Sequence, residues 1–251
     1  MLACLLLVTA SLTGCVKFKQ VMTVMPDGSG KMTINVGLSE QLVQMAQQQG
    51  ENPFDQMDPI ALGKDAKGIV AFSKPTQVKE GGYTYLTFSA YFDDINQVEL
   101  GSPDDEEAPA KFTYVKDGKG ATLSIEKSMI LSAVADHEPI SDEEKVFAAQ
   151  MTAGMSFVES YNLPGSIEAV KGVAIEGSTA TLEMTQEHML NSTGPIKDLK
   201  GVDKLTFKIT EVKEDAAALA AFKAEVEIAK KEWEAMKKEA EAKAAAEEAA
   251  E

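Results

Sequence analysis

The chain has 251 residues, with 40 acidic and 24 basic side chains and a formal net charge of −16 at pH 7. All 24 basic residues are lysines, so the chain lacks the guanidinium groups that read guanine edges and pair with planar anions. This composition excludes nucleic acid as a partner, because binding there depends on cationic surface. It also argues against attraction to anionic lipid head groups.

The first element in chain order is an apolar run over residues 2–12. It is shorter than the roughly 20 apolar residues that cross a membrane, but it is typical of a secretory signal. The run ends in Leu12-Thr13-Gly14-Cys15, which resembles the bacterial lipobox. No Lys or Arg precedes the run, which leaves open whether Met1 is the true start. The alternative is a buried N-terminal strand with an incidental cysteine.

The lipobox resemblance implies a signal peptide over residues 1–14, cleavage between Gly14 and Cys15, and lipidation of Cys15 by diacylglycerol and an N-terminal acyl chain such as palmitate. Two or three acyl chains hold a protein firmly on a membrane. Val16, rather than Asp, follows the cysteine, which favours the outer membrane or a periplasm-facing location within the bacterial cell envelope. Cys4 leaves with the leader, so we expect no free thiol and no disulfide in the mature protein.

Residues 15–212 are expected to form one α+β domain of antiparallel β-hairpins packed with a few helices. Turn residues rich in Gly, Asp and Ser mark the hairpins, and Ser39 and Ser141 are typical helix N-caps. The patterns predict hairpins over 18–36, 111–127 and 173–184, helices over 40–49 and 142–155, and strands over 69–72, 83–92, 156–163 and 204–211.

Residues 213–251 are rich in Ala, Glu and Lys and predict a long C-terminal helix. Its apolar residues step by three and four, namely Leu219, Phe222, Val226, Ala229, Trp233 and Met236. This spacing fits either a short coiled coil that contacts a protein partner or a single solvated helix.

The order of these features resembles a family of bacterial lipoproteins that includes the mycobacterial LppM-type domain. The matching features are Cys15, the turn Asp27-Gly28-Ser29-Gly30, the Ser39 helix, the segment Tyr161-Asn162-Leu163-Pro164-Gly165 and the hairpin at Gly177. The resemblance covers about residues 15–212. It implies an α+β envelope domain and carries over no catalytic residues.

Ser124 and Lys127 satisfy the Ser-x-x-Lys spacing of penicillin-recognising enzymes. That chemistry requires a helix, whereas residues 121–127 are predicted to form a strand that places the two side chains on opposite faces. The two partner motifs, Lys-Thr-Gly and Ser-Asp-Asn, are missing from the sequence. We therefore expect no catalytic serine here.

Metal sites are weakly indicated. His137 and His188 lack the His-x-x-x-His spacing of zinc sites, and both are expected to be exposed. The acidic run over residues 104–107 lacks the spaced ligands and bend glycine of a calcium loop. Asp93 and Asp94 are adjacent on a strand end and so are expected to point apart.

An apolar ligand is the remaining alternative. Met22, Met25 and Met32 cluster on the first hairpin, and Tyr83, Tyr85 and Tyr91 share one face of a strand. Methionine adapts to irregular apolar ligands, although packing in the core is the expectation.

The sequence therefore predicts a non-enzymatic lipoprotein with no catalytic, cofactor or metal residues. Cys15 anchors it, and the folded domain binds or scaffolds. A carrier or sensor of a lipid or other apolar envelope ligand is the alternative.

Overall fold

The computed structural model describes residues 16–64, 66–100, 110–135 and 137–248. It confirms the α+β class and the long C-terminal helix. The strands are β1 (Val16–Val24), β2 (Gly30–Ser39), β3 (Ala71–Phe72), β4 (Thr76–Glu80), β5 (Tyr83–Phe92), β6 (Glu99–Leu100), β7 (Ala110–Asp117), β8 (Gly120–Glu126), β9 (Ser156–Asn162), β10 (Gly165–Ile167), β11 (Ala174–Glu176), β12 (Thr179–Thr185) and β13 (Lys204–Val212). The helices are α1 (Glu40–Gln48), α2 (Pro59–Leu62), α3 (Met129–Ala135), α4 (Asp142–Met151), α5 (Gln186–Asn191), α6 (Pro195–Asp198) and α7 (Ala216–Glu248).

The larger sheet has the order β11-β12-β9-β1-β2-β5-β3, and β4 also pairs with β5. β1 and β2 form the predicted hairpin, with Met22 opposite Met32. β1 and β9, however, pair in parallel, with Lys17 opposite Ser156. The sheet is thus mixed rather than purely antiparallel, because residues 25–155, which include β2–β8 and α1–α4, return the chain to the end at which β1 starts before β9 begins.

The smaller sheet has the order β10-β13-β8-β7-β6. Alternate residues of β8 and β13 are buried, among them Leu123 and Phe207, while their neighbours such as Thr206 are exposed. The rings of Tyr161 in the larger sheet and Phe207 in the smaller one lie 5.4 Å apart. The core therefore lies between the inner faces of the two sheets.

Helix α7 packs against the edge of the larger sheet. Its Phe222, Val226, Ala229 and Trp233 are buried, and the Trp233 ring lies 5.1 Å from that of Phe72 on β3. The apolar seam predicted from the sequence is therefore covered by this chain's own sheet. None of the helices in the described ranges has an apolar stretch long enough to cross a bilayer.

Several elements differ from the sequence-based expectations. β4 was not predicted, because its residues are exposed throughout and show no apolar alternation. Helices α3, α5 and α6 were missed as well, since each is too short to show helical periodicity. The strand expected over residues 69–72 pairs only at Ala71–Phe72, and the capped helix α4 ends at Met151 rather than near 155.

Candidate functional site

The predicted cleavage and lipidation residues, Gly14 and Cys15, lie outside the described residues. The first described element, β1, starts at Val16. β1 then spans nine residues, or about 26 Å at the rise typical of a strand. Val16 and Val24 therefore lie at opposite ends of the larger sheet.

A groove of about 460 Å³ lies at the Val24 end. Four segments line it: the end of β1 with its turn, the corner between β9 and β10, the turn between β11 and β12, and the junction of β13 with α7. We call it the turn-end groove; its lining is Thr23, Val24, Met25, Pro26, Asn162, Leu163, Pro164, Gly165, Ser166, Gly177, Ser178, Lys213, Asp215 and Ala218. Its volume falls within the range of small-molecule sites.

The turn beside the groove is held by Asp27. Its Oδ1 accepts hydrogen bonds from the Ser29 hydroxyl (2.5 Å) and the Ser29 backbone N–H (3.1 Å), and Lys223 of α7 lies 3.2 Å from Oδ2. Partial burial raises the pKa of Asp27, but the Ser29 hydrogen bonds and Lys223 outweigh it, so the net pKa is lowered. The Asp27 carboxylate is therefore ionised at neutral pH, and its contacts with Ser29 and Lys223 hold the turn in place.

A second cavity of about 200 Å³ lies near the start of α3 and contains a buried acid, Glu159. The Glu159 carboxylate accepts hydrogen bonds from the Ile130 backbone N–H at 3.3 Å and from the Tyr161 hydroxyl at 3.1 Å. Burial is the largest influence and raises the pKa of Glu159, against the hydrogen bonds from Ser128, Ile130 and Tyr161 that lower it. Burial likewise raises the pKa of Tyr161.

Sequence reasoning missed Glu159. The signal was present, because Phe157, Glu159 and Tyr161 alternate on one face of a strand in which the other members of the face are apolar. Chemically, the carboxylate supplies acceptors to the unpaired N–H groups at the start of α3, which have no partner within the helix. The arrangement is that of a buried helix cap.

The Ser-x-x-Lys pair does not form a catalytic site. Ser124 lies within β8, where its hydroxyl is 3.5 Å from that of Thr206 on β13. Lys127 follows the strand with a positive φ of 56° and is exposed. Ser124 thus lies on a strand rather than on the helix that this chemistry requires, and Lys127 lies just beyond the end of that strand.

One histidine contacts a serine. His137 Nε2 lies 3.0 Å from the Ser192 hydroxyl, and Ser192 has a left-handed backbone (φ 50°) at the end of α5. The next N–H, that of Thr193, donates to the His188 carbonyl, so it is not available to an oxyanion. The His137–Ser192 contact ties the loop before α4 to α5.

The other polar candidates have structural partners. His188 Nδ1 lies 3.3 Å from the Thr185 N–H and completes the N-terminal capping box of α5. Asp94 caps a short 3₁₀ turn at Asn96, and Asp93 lies 3.8 Å from Lys230. The acidic run at 104–107 falls outside the described residues. Among the residues that are described, no three His, Cys, Asp or Glu side chains are grouped as a metal site would require.

The methionine and tyrosine candidates are divided between core and surface. Met22 and Met32 are buried between the sheets, whereas Met25 lines the turn-end groove. Tyr83 and Tyr85 lie on the outer face of the larger sheet with their rings 5.8 Å apart. Tyr91 packs under α7. The structure therefore does not bring these residues together into one apolar site.

No protein-family model matches the chain, and no curated protein matches it. Among solved structures, the chain is similar to the NMR structure of the folded domain of LppM from Mycobacterium tuberculosis. The two are 13% identical over 80% of this chain and 93% of that one, with a TM-score of 0.37. The loose resemblance predicted from the sequence is therefore found.

Proposed function

We propose that the protein is a lipid-anchored envelope lipoprotein whose α+β domain is a non-enzymatic binding or scaffolding module. The observation that carries the proposal is the position of β1, which begins one residue after the lipobox cysteine and ends in the turn-end groove. Lipid on Cys15 would hold the domain directly at the membrane. The groove would then face away from it at about the 26 Å length of the strand.

The groove supports binding over catalysis. Backbone, Pro, Gly and small side chains form most of its lining, with Lys213 and Asp215 as the charged members. Lys213 also donates its backbone N–H to the Pro164 carbonyl, which links the start of the tail to the β9–β10 corner. Such a lining offers shape and a few polar contacts to a bound molecule.

The anchor is tested with Cys15→Ser. The parent protein is expected to carry a lipid on its N-terminal cysteine by mass spectrometry and to remain in the membrane fraction after a high-salt wash. The variant is expected to move to the soluble fraction. Retention of the variant on washed membranes would show that lipid on Cys15 is not what holds the protein.

Carriage of an apolar ligand is the second candidate, favoured by Met25 and Leu163 in the groove. Native mass spectrometry of protein extracted from membranes distinguishes the two. A retained apolar ligand that is lost in Ser166→Arg, at the groove rim, but kept in Thr206→Arg, on the outer face of β13, would indicate a carrier. If the parent and both variants show the mass of the protein without a bound ligand, the carrier is contradicted and the binding or scaffolding module remains the proposal.

A further inference from the structure

Four large apolar side chains are exposed on elements at one end of the larger sheet. They are Met45 on α1, Val78 on β4, and Val146 and Phe147 on α4, with exposed fractions of 50, 57, 67 and 68%. Single exposed apolar residues need no explanation, but several at one end of a molecule indicate a contact surface.

The strand register places these elements together at the start of β1. Lys17 lies opposite Ser156, the first residue of β9, and Ser156 lies opposite Thr185, the last residue of β12. On the other side, Val16 lies opposite Leu38, one residue before α1 begins. We call this edge the β1-start end of the sheet. Neighbouring strands are about 4.8 Å apart, so these residues lie within roughly 10 Å of Lys17.

Hydrogen bonds fix α4 to the same end. Gln186 follows Thr185 directly, and its side-chain amide donates to the Ala149 carbonyl of α4 at 2.5 Å. The Gln186 backbone N–H donates to the Met155 carbonyl at 3.2 Å. Val146 and Phe147 lie within one helical turn of Ala149, so these two exposed apolar side chains are carried at the β1-start end.

We propose that the β1-start end is the membrane-facing surface of the domain, with Val146 and Phe147 entering the head-group region of a phospholipid bilayer. This inference rests on the proposed anchor at Cys15. Cys15 is joined to Val16 by a peptide bond, so acyl chains on Cys15 would bring the bilayer to this end. An aromatic ring and an aliphatic side chain at the interface are stabilised by burial of their apolar surface.

Charge does not drive this contact. Helix α4 begins with Asp142, Glu143 and Glu144, which anionic head groups repel. The contact is therefore apolar and is expected to withstand high salt. Val115, also 55% exposed, provides the contrast, because it lies near the β7–β8 turn on the outer face of the smaller sheet.

The test uses the full lipidated chain reconstituted into vesicles of phosphatidylcholine and phosphatidylethanolamine. Phe147→Cys is labelled with an environment-sensitive fluorophore, and Val115→Cys serves as the matched control. Lipid on Cys15 leaves the introduced thiol as the only one that reacts. At position 147 we expect blue-shifted emission and loss of emission when the vesicles contain acyl-chain nitroxide lipids, with neither effect at position 115. Unchanged circular dichroism and melting midpoint establish that both variants fold.

Flotation of the vesicles separates the two proposals. Protein that fails to float with them contradicts the anchor itself. Protein that floats but shows the same quenching at 147 and 115 overturns the membrane-facing surface while leaving the anchor. Blue-shifted emission at 147 that depends on protein concentration and resists the nitroxide lipids would also overturn it, because a second copy of the chain would then cover α4.

Discussion

The Nζ atom of Lys31 on β2 lies 2.6 Å from Oε1 of Glu225 on α7. The same oxygen accepts a hydrogen bond of 2.8 Å from the Tyr91 hydroxyl. A single carboxylate therefore joins the C-terminal helix to two neighbouring strands. Partial burial raises the pKa of Glu225, but the hydrogen bonds from Lys31 and Tyr91 dominate and lower it. The free energy of this contact is thus coupled to pH.

Glu225→Gln is expected to lower the free energy of unfolding at pH 7 by less than about 1 kcal/mol, because both partners are partly exposed and screened by solvent. The folded pKa lies below the unfolded value of 4.5. The stabilisation is therefore complete above that value and is lost as the pH falls through the folded pKa. In urea denaturation the difference from the parent should be largest at pH 7 and should shrink as the pH falls below 4.5. Glu227→Gln, at an exposed α7 position, is the control; an equal effect there would remove any special role for Glu225.

The seam of α7 packs on this chain's own sheet, so its buried side chains are expected to stabilise the folded domain. Trp233→Ala removes a ring buried against Phe72 and is expected to cost about 3–5 kcal/mol in urea denaturation. Ile228→Ala, at a position 59% exposed, should cost no more than about 0.5 kcal/mol. Similar losses at the two positions would contradict the packing of α7 on the sheet edge.

Truncation separates the packed part of α7 from the rest. A stop after Glu214 removes the whole helix and should abolish cooperative melting or lower the midpoint strongly, because Phe72 and Tyr91 lose the side chains that cover them. A stop after Lys238 removes only Ala, Glu and Lys residues and should leave the midpoint nearly unchanged. A cooperative, parent-like transition in the shorter protein would show that α7 is dispensable.

The sequence predicted interactions between residues that are close in the chain better than those between residues far apart in it. Local signals succeeded: Ser39 and Ser141 cap helices as expected, and the three hairpins formed around their turns. The parallel pairing of β1 with β9 did not follow from any local pattern, since it joins residues about 140 apart in the chain. The heptad spacing of α7 specified an apolar face but not its occupant, because a sheet edge and a second helix bury such a face equally well.

The candidate sites could likewise be predicted where they depend on a local motif and not where they depend on distant segments coming together. Lipobox residues act through a short linear motif, so Gly14 and Cys15 could be named from the sequence, and they remain predictions. The turn-end groove is assembled from the turn at Pro26, the corner at Pro164 and the turn at Gly177. Each of these was visible as a turn, but their convergence depends on strand order, which local residue patterns do not specify.

Gly165 is predicted to be essential where β10 meets β13. A Cβ atom there would overlap the Glu211 carbonyl oxygen and the Ile209 side chain, and no relaxation is available because the first obstacle is backbone. Gly165→Ala is expected to cost about 3 kcal/mol or more in urea denaturation. Gly177→Ala is the control, because its φ of 62° imposes strain of about 1–2 kcal/mol but its Cβ would meet no atom. A smaller loss at Gly165 than at Gly177 would contradict the close approach.

Glu159 is predicted to be a cap that costs stability when ionised. Glu159→Gln keeps an oxygen for the Ile130 N–H and an amide for the Tyr161 hydroxyl, yet has no charge to bury. Glu159→Ala leaves the buried Ile130 N–H without its acceptor and the Tyr161 hydroxyl with Ser128 alone, and it should lower the free energy of unfolding by about 1–3 kcal/mol. The Gln variant should be as stable as the parent, or more stable, at pH 8. Equal loss in both variants would show that the negative charge itself is needed.

The pH dependence of the free energy of unfolding shows whether the folded state favours the protonated or the ionised form of Glu159. Burial raises the folded pKa of Glu159 above the unfolded value of 4.5, so the folded state binds the proton more tightly than the unfolded chain. Between these two pKa values the contribution of Glu159 to stability falls as the pH rises, opposite to that of Glu225. Glu159→Gln should therefore gain stability relative to the parent as the pH is raised from 4.5, as followed by urea denaturation across the range. If the stability gained by Glu159→Gln shrank with rising pH, the folded state would stabilise Glu159 as a carboxylate. The negative charge beside the cavity would then be favourable, which contradicts a cap that costs stability when ionised.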